Sequence, residues 1–199
     1  MIGIVCDFYY PSIGGTQQLC KSVVDILVSF ERKIEVITSK NLERNLSDFN
    51  YSFIELNNLN FQKYNLFDQK CYNNIILFAD LFSESLKTIP VEKLENTILV
   101  LNLDENVYRW IKNGENGFNQ QAVSLLIKKI KLFKSVVSFC KGAPVNKFLE
   151  ENNIKYDFIP NFSRDIQNST KKDFNIHKIL NIEKNKKIIF NQGLFEERK

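Results

Sequence analysis

The chain has 199 residues, 44% of them hydrophobic, 13% aromatic and 25% charged. That balance supports a sizeable packed core and excludes a disordered or low-complexity chain. Its 27 Lys and Arg against 23 Asp and Glu leave a net charge of only +4, without the concentrated basic stripe expected of a nucleic-acid binder.

The first ten residues read as a buried strand meeting a turn rather than a signal peptide. No apolar run approaches the roughly 18 residues that a membrane span needs, so a cytoplasmic location is expected. The four cysteines, Cys6, Cys20, Cys71 and Cys140, are scattered with no C-x-x-C pair. They are expected to be reduced, small apolar fillers rather than disulfides or zinc ligands.

In chain order, IGIVCDFY (2–9) is short, apolar and bounded by Pro11, which predicts a strand buried on both faces. TQQLCKSVVDILVSF (16–30) repeats Leu19, Val23, Ile26, Leu27 and Phe30 at helical spacing, with Thr16 predicted as the N-cap. KIEVITS (33–39) completes a β-α-β unit, whose right-handed crossover makes its two strands parallel neighbours. Further strands are predicted at 51–56, 74–81, 96–103, 134–140 and 156–160. Helices are predicted at 61–72, 83–87 with 91–95, 119–133 and 143–152, the last carrying Pro144 in its first turn. This alternation predicts an α/β, Rossmann-like fold: a mostly parallel sheet with helices on both faces, covering residues 1–163. Residues 164–185 read as a polar linker and a short helix, and 186–199 as the first strand and loop of a second domain.

Gly14 and Gly15 stand just before the first helix. Glycine permits close backbone approach, and the helix N-terminus presents unpaired N–H groups that favour an anion. A tight turn without a ligand explains the pair equally well. A dinucleotide-binding oxidoreductase is disfavoured, because G-x-G-x-x-G is missing and the second strand ends VITSK with no acidic residue for a ribose.

The stretch FYYPSIGGTQQLCKSVVDIL resembles the opening of the family-four glycosyltransferases, GT-B enzymes whose first loop reads P-x-x-G-G and leads into an amphipathic helix. SFCKGAPVNKFLEENNIKYDFIPNFS (138–163) looks like that family's S-x-x-x-K-x-x-L helix followed by an I-P-N-G strand end. KKIIFNQGLFEERK looks like I-L-x-V-G-R-L-x-x-x-K-G, which opens the family's C-terminal domain. The segments occur in the family's order from residue 2 to residue 199, while 41–95 matches in pattern alone.

The resemblance implies two facing Rossmann-like domains, the first holding an acceptor and the second a nucleotide-diphospho-sugar. It implies a retaining hexosyltransferase, of the kind bacteria use in polysaccharide or lipopolysaccharide synthesis, acting on a glycan or lipid-linked acceptor. No cofactor, metal or nucleic acid is implied. Gly14 and Gly15 match the glycines that approach the donor's diphosphate and sugar, Thr16 beside them is a further diphosphate-binding candidate, and Lys199 matches the lysine of the diphosphate clamp. Tyr10, Ser12, Glu105 and Tyr108 are the acceptor-side candidates.

The chain departs from the pattern in several places. Leu194 stands where the clamp arginine is expected, with Arg198 one place off, and Phe162 replaces the glycine of I-P-N-G. VLNLDENVYRW lacks the family's histidine, and the sole His177 lies in the linker-helix region. The glutamate-rich donor motif would fall beyond residue 199. These 199 residues alone are therefore expected to be inactive, as the N-terminal part of a longer enzyme. The alternative is a non-catalytic Rossmann-like binding module.

Two further segments admit two readings each. In LNLDENVYRW (101–110), Asp104 and Glu105 follow a strand at the edge where doubly wound sheets bind ligands. Asp104 is either a base toward an acceptor hydroxyl or, with Asn106 as its rival, a cap for the next helix with Trp110 beneath. Asn102 is a strand-end amide suited to a sugar hydroxyl. In QQAVSLLIKKIKLFK (120–134), Val123, Leu126, Ile127 and Ile130 are the predicted inward stripe. Lys128, Lys129, Lys131 and Lys134 then either stay solvated or meet an anionic membrane on the inner face of the plasma membrane.

Overall fold

Seven short apolar runs form strands: β1 (Ile2–Cys6), β2 (Ile34–Ser39), β3 (Ser52–Leu56), β4 (Asn74–Ala79), β5 (Thr97–Leu101), β6 (Ser135–Ser138) and β7 (Asp157–Phe158). They are seen in a computed structural model that describes residues 1–11, 15–41, 44–64, 66–69, 71–139 and 143–159. The chain divides into two units, Met1–Ser163 and Arg164–Lys199. The expected linker at 164–185, the strand at 186–199, Phe162, His177, Leu194, Arg198 and Lys199 lie outside the described residues.

Every neighbouring pair of strands is parallel, in the order β3-β2-β1-β4-β5-β6-β7. The fold is α/β and Rossmann-like. β1 is paired on both sides and carries the fully buried Ile4 and Val5. The order reverses at β1, where β2 lies on one side and β4 on the other.

Side chains alternate across the sheet. One row runs Ile54, Ile37, Val5, Leu77, Leu99, Val136 from β3 to β6. It packs on Leu86, Leu94, Phe148 and Leu149, so α4 (Glu84–Thr88), α5 (Glu105–Asn113), α6 (Gln120–Ile130) and α7 (Pro144–Glu151) lie on that face. On the opposite face Cys6, Phe78, Val100 and Val137 share a core with Cys20 and Val24 of α1 (Gly15–Ser29). Between them the two apolar rows leave a dry sheet with helices on both faces.

Helix ends follow their capping chemistry. Asp104 accepts a hydrogen bond from the Val107 N–H at 2.9 Å, Asn119 from the Ala122 N–H at 2.9 Å, and Pro144 takes the first position of α7. Gly114 ends α5 in the left-handed region at φ 70°, returning its N–H to Trp110 and Ile111.

Several expectations are corrected. The helix expected at 61–72 is two single turns, α2 (Phe61–Tyr64) and α3 (Leu66–Gln69). Here the aromatic rings Phe61, Phe67 and Tyr72 pack edge to face, at 4.9 and 6.1 Å, instead of lining one helical stripe. Past α4, residues Val91–Asn96 form a 3₁₀ turn after Pro90. β1 stops at Cys6, because Tyr9 turns away and is buried among Phe49, Tyr51 and Phe53, its hydroxyl 2.7 Å from that of Tyr51. Thr16 lies within the first turn of α1, which starts at Gly15, and so is not its N-cap. Cys6 and Cys20 are buried as expected, but Cys71 is exposed, and Cys140 lies outside the described residues.

Candidate functional site

Doubly wound sheets bind ligands beyond the carboxyl ends of their strands, at the point where strand order reverses. Here that point lies between the ends of β1 and β4, beneath the start of α1. A recess of about 100 Å³ opens there among Asp7, Thr16, Asp80, Ser83 and Asn102. A second, of about 230 Å³, lies beside it among Gly15, Thr16, Leu19, Asn102 and Phe139. Thr16 and Asn102 belong to both, and the Asn102 amide donates to the Thr16 hydroxyl at 3.1 Å across 86 residues of sequence. The Asn102 backbone N–H is itself held by the Ala79 carbonyl at 2.9 Å, which sets β5 against the end of β4.

Gly15 stands over this region as the first residue of α1. Gly15 is exposed, and among the described residues a Cβ there would meet nothing within 4 Å. A helix start of this kind is a place where backbone N–H groups can meet an anion.

Two carboxylates that the motif reading did not single out also line the smaller recess. Asp7 follows β1 and accepts a hydrogen bond from Ser85 Oγ at 2.8 Å. Burial pushes its pKa up, as do the charges of Asp80 and Glu84, against the opposing hydrogen bonds of Ser83 and Ser85. Asp80 follows β4 and accepts from the Phe82 N–H at 2.7 Å and from Ser83 Oγ at 3.2 Å. Both fall inside the runs expected as strands 2–9 and 74–81, and the signal was an acidic residue near the carboxyl end of an otherwise apolar run. Among the described residues, no group of three or more His, Cys, Asp or Glu is arranged to hold a metal ion.

Arg44 braces the segment after β1. Buried, it donates to the Tyr10 carbonyl at 2.8 Å and the Tyr9 carbonyl at 3.3 Å, pairs with Glu55, and lies over the Tyr9 and Phe53 rings. A buried cation shared between two carbonyls and a carboxylate fixes the backbone just ahead of the glycine pair.

The candidate residues divide accordingly. Thr16, Asn102 and Gly15 come together. Gly14, Ser12 and Lys199 lie outside the described residues. Asp104 caps α5 and does not line either recess. Glu105 is exposed in the first turn of α5, and Tyr108 donates to Glu151 of α7 at 2.7 Å; neither lines a recess. Tyr10 packs edge-on to Phe49 at 6.3 Å, also away from both recesses. The aromatic residues of 49–67 are used in packing, Phe49, Tyr51 and Phe53 on one face and Phe61 and Phe67 on the other.

On α6 the inward stripe is as expected, with Ile130 buried and Val123, Leu126 and Ile127 packed against the core. The lysines, however, do not all stay solvated. Lys129 is half-buried, donating to the Lys87 carbonyl at 2.6 Å, and Lys134 donates to Asn74 at 3.0 Å. Lys128, Lys131 and Lys134 remain exposed, Lys134 while holding Asn74. Among the described residues, no helix is long and apolar enough to cross a membrane.

No family model matches this chain, and no curated protein matches it.

Proposed function

We propose that the crevice between β1 and β4 is the acceptor side of a glycosyltransferase, which moves a sugar from a nucleotide-diphospho-sugar to a hydroxyl of a glycan or lipid-linked acceptor. The observation that carries this reading is the joined pair of recesses at the strand-order reversal, bridged by Thr16 and Asn102 beside the exposed Gly15. Amides, hydroxyls and carboxylates are the groups that recognise sugar hydroxyls, since each can donate to or accept from an O–H. In the proposed reaction the acceptor oxygen bonds to the anomeric carbon as the bond from that carbon to the diphosphate breaks. The acceptor attacks from the face that the diphosphate leaves, so configuration is retained, and its proton passes to the departing diphosphate without a protein base. Asn102 and Thr16 orient the acceptor, and the N–H groups at the start of α1 face the departing charge.

A binding module without chemistry is the second reading, and one observation favours it. No Lys or Arg lines either recess among the described residues, while Asp7 and Asp80 would repel a phosphate there. On both readings this half of the crevice selects hydroxyl-bearing ligands. If the acceptor is lipid-linked, contact with an anionic membrane would fall to the exposed Lys128 and Lys131.

Saturation-transfer NMR on the 199-residue chain, with a panel of mono- and disaccharides and nucleotide sugars, tests the proposal. At least one saccharide is expected to give a saturable signal, and Asn102→Ala is expected to weaken it about tenfold, the size of one lost hydrogen bond of about 1.4 kcal/mol. Asn102 is exposed, so the variant keeps the fold. No saccharide signal, or an unchanged affinity in Asn102→Ala, overturns the reading.

A further inference from the structure

The turn after β4 has two walls. Asp80 and Ser83 face the crevice, whereas Leu81 and Phe82 face a separate groove of about 440 Å³ that shares no lining residue with it. Phe118, from the connection between α5 and α6, and Leu125 of α6 complete its apolar wall. The volume falls in the range of small-molecule pockets. Leu81 and Phe118 are buried, but Leu125 is 59% exposed. Leu125 continues the apolar wall of Leu81, Phe82 and Phe118 out to the surface, and contiguous apolar surface of this kind is where apolar ligands bind.

The groove also carries Lys87 and Lys129. Lys87 pairs with Glu84 at 3.3 Å. Lys129 has no such counter-ion: its ammonium donates to the Lys87 carbonyl at 2.6 Å, and among the described residues no carboxylate pairs with it. Burial lowers the pKa of this amine below the ordinary lysine value. A half-buried cation is stabilised by an anion brought to it. Apolar wall and unpaired cation together complement one kind of molecule, an amphiphile with a negatively charged head.

We propose that this groove binds a lipid carrying an anionic headgroup, with one hydrocarbon chain against Phe82, Phe118 and Leu125 and the head on Lys129. The inference is independent of the sugar-transfer reading, because it uses none of the crevice residues.

The chain supplies its own reporter. Trp110, its single tryptophan, contacts Phe82 edge to face at 5.8 Å, so a chain laid on Phe82 alters Trp110 emission. Dodecyl phosphate, added below its critical micelle concentration to the 199-residue protein, is expected to give a saturable change. Its affinity should be about tenfold above that of dodecyl maltoside, as one charge-assisted contact supplies. Lys129→Met should abolish that preference, and Leu125→Asp should weaken both ligands, with thermal unfolding midpoints checked for each variant.

The absence of a saturable change overturns the proposal, as does equal affinity for the phosphate and the maltoside. Full competition by inorganic phosphate would reduce the groove to an anion site and also overturn it. Binding to anionic vesicles without binding of monomeric dodecyl phosphate would mark a membrane-facing surface instead, again against the proposal. The wild-type ligand series decides the question even if a variant fails to fold.

Discussion

Gly3 and Gly15 belong to one β-α unit and do opposite work. At Gly3, in β1, an added Cβ would lie 2.9 Å from the ring of Tyr72, which passes there to bring its hydroxyl to the buried Glu35 of β2. At Gly15, an added Cβ would meet nothing within 4 Å. The first glycine makes room for the protein's own side chain. The second leaves room that the protein does not fill. At the amino ends of β1 and β4 the protein's own groups meet, with Tyr72 over β1 and Lys134 bonded to Asn74 at the start of β4. The carboxyl ends carry Asp7, Asp80, Asn102 and Thr16 around open recesses. At β1 and β4, packing fills the amino side, and the carboxyl side keeps polar groups at an accessible surface. That asymmetry is what a binding edge requires, because groups that a ligand must reach cannot also be covered by the core.

The contrast breaks first at Gly3. Gly3→Ala forces a methyl into the Tyr72 ring and is expected to destabilise the fold by roughly 1–3 kcal/mol, the cost of overpacking. Urea denaturation measures it, and pairing the change with Tyr72→Ala should give a combined cost below the sum of the two. A neutral Gly3→Ala would show that the closed end is looser than its contacts imply.

Asp7 tests the open end through pH. Its folded-state pKa is raised, chiefly by burial, above the ordinary 3.8. Protonated Asp7 therefore favours the folded state. The stability this contributes is fully present below the ordinary value and is lost as pH rises through the raised one. Asp7→Asn, which can still accept from Ser85, should be more stable than the wild type near neutral pH, with the advantage vanishing as pH falls toward 3.8. Denaturation curves across that range check the sign. A variant less stable at neutral pH would mean that the charged carboxylate is supported by its neighbours rather than penalised.

The smallest expected change in stability is at Gly15. Gly15→Ala removes backbone freedom at a helix start without a clash, so stability should be unchanged or rise by up to about 1 kcal/mol. Affinity for whatever saccharide or nucleotide sugar the chain binds should nevertheless fall, because the methyl occupies the approach to the α1 N-terminus. Thermal unfolding and the NMR titration, run side by side, separate the two effects. Unchanged affinity would sever Gly15 from the site.

Much of the frame was legible in the chain itself. All seven strands lie at the runs expected to form them, because a strand covered on both faces must be apolar along its length and few other segments are. Pro144 marks a helix start through backbone chemistry that is local by nature, whereas the Gly114 end of α5 was not among the helix ends expected. The segment 61–72 was misread, since its rings look helical in spacing but are drawn apart by partners elsewhere, Tyr72 going to Gly3. Thr16 was expected to cap α1, and its hydroxyl instead meets Asn102. Asp7 and Asp80 went unremarked because the expected strands 2–9 and 74–81 ran past them, whereas β1 and β4 end just before each. Asp104, by contrast, is engaged as a helix cap and turned from the recesses. Lys129 looked like one of four equivalent surface lysines until its amine proved half-buried beside an apolar groove.

By itself, then, the order of amino acids determined which segments become strands, where the long helices run, and that the sheet is parallel. Those outcomes depend on periodicity and on backbone preferences within a few residues. Only the tertiary structure decided that Thr16 meets Asn102, that Tyr72 closes over Gly3, that Gly15 faces open space, and which carboxylates line the crevice. Such pairings join positions far apart in the chain, and their energy exists only once the sheet has brought its strand ends together.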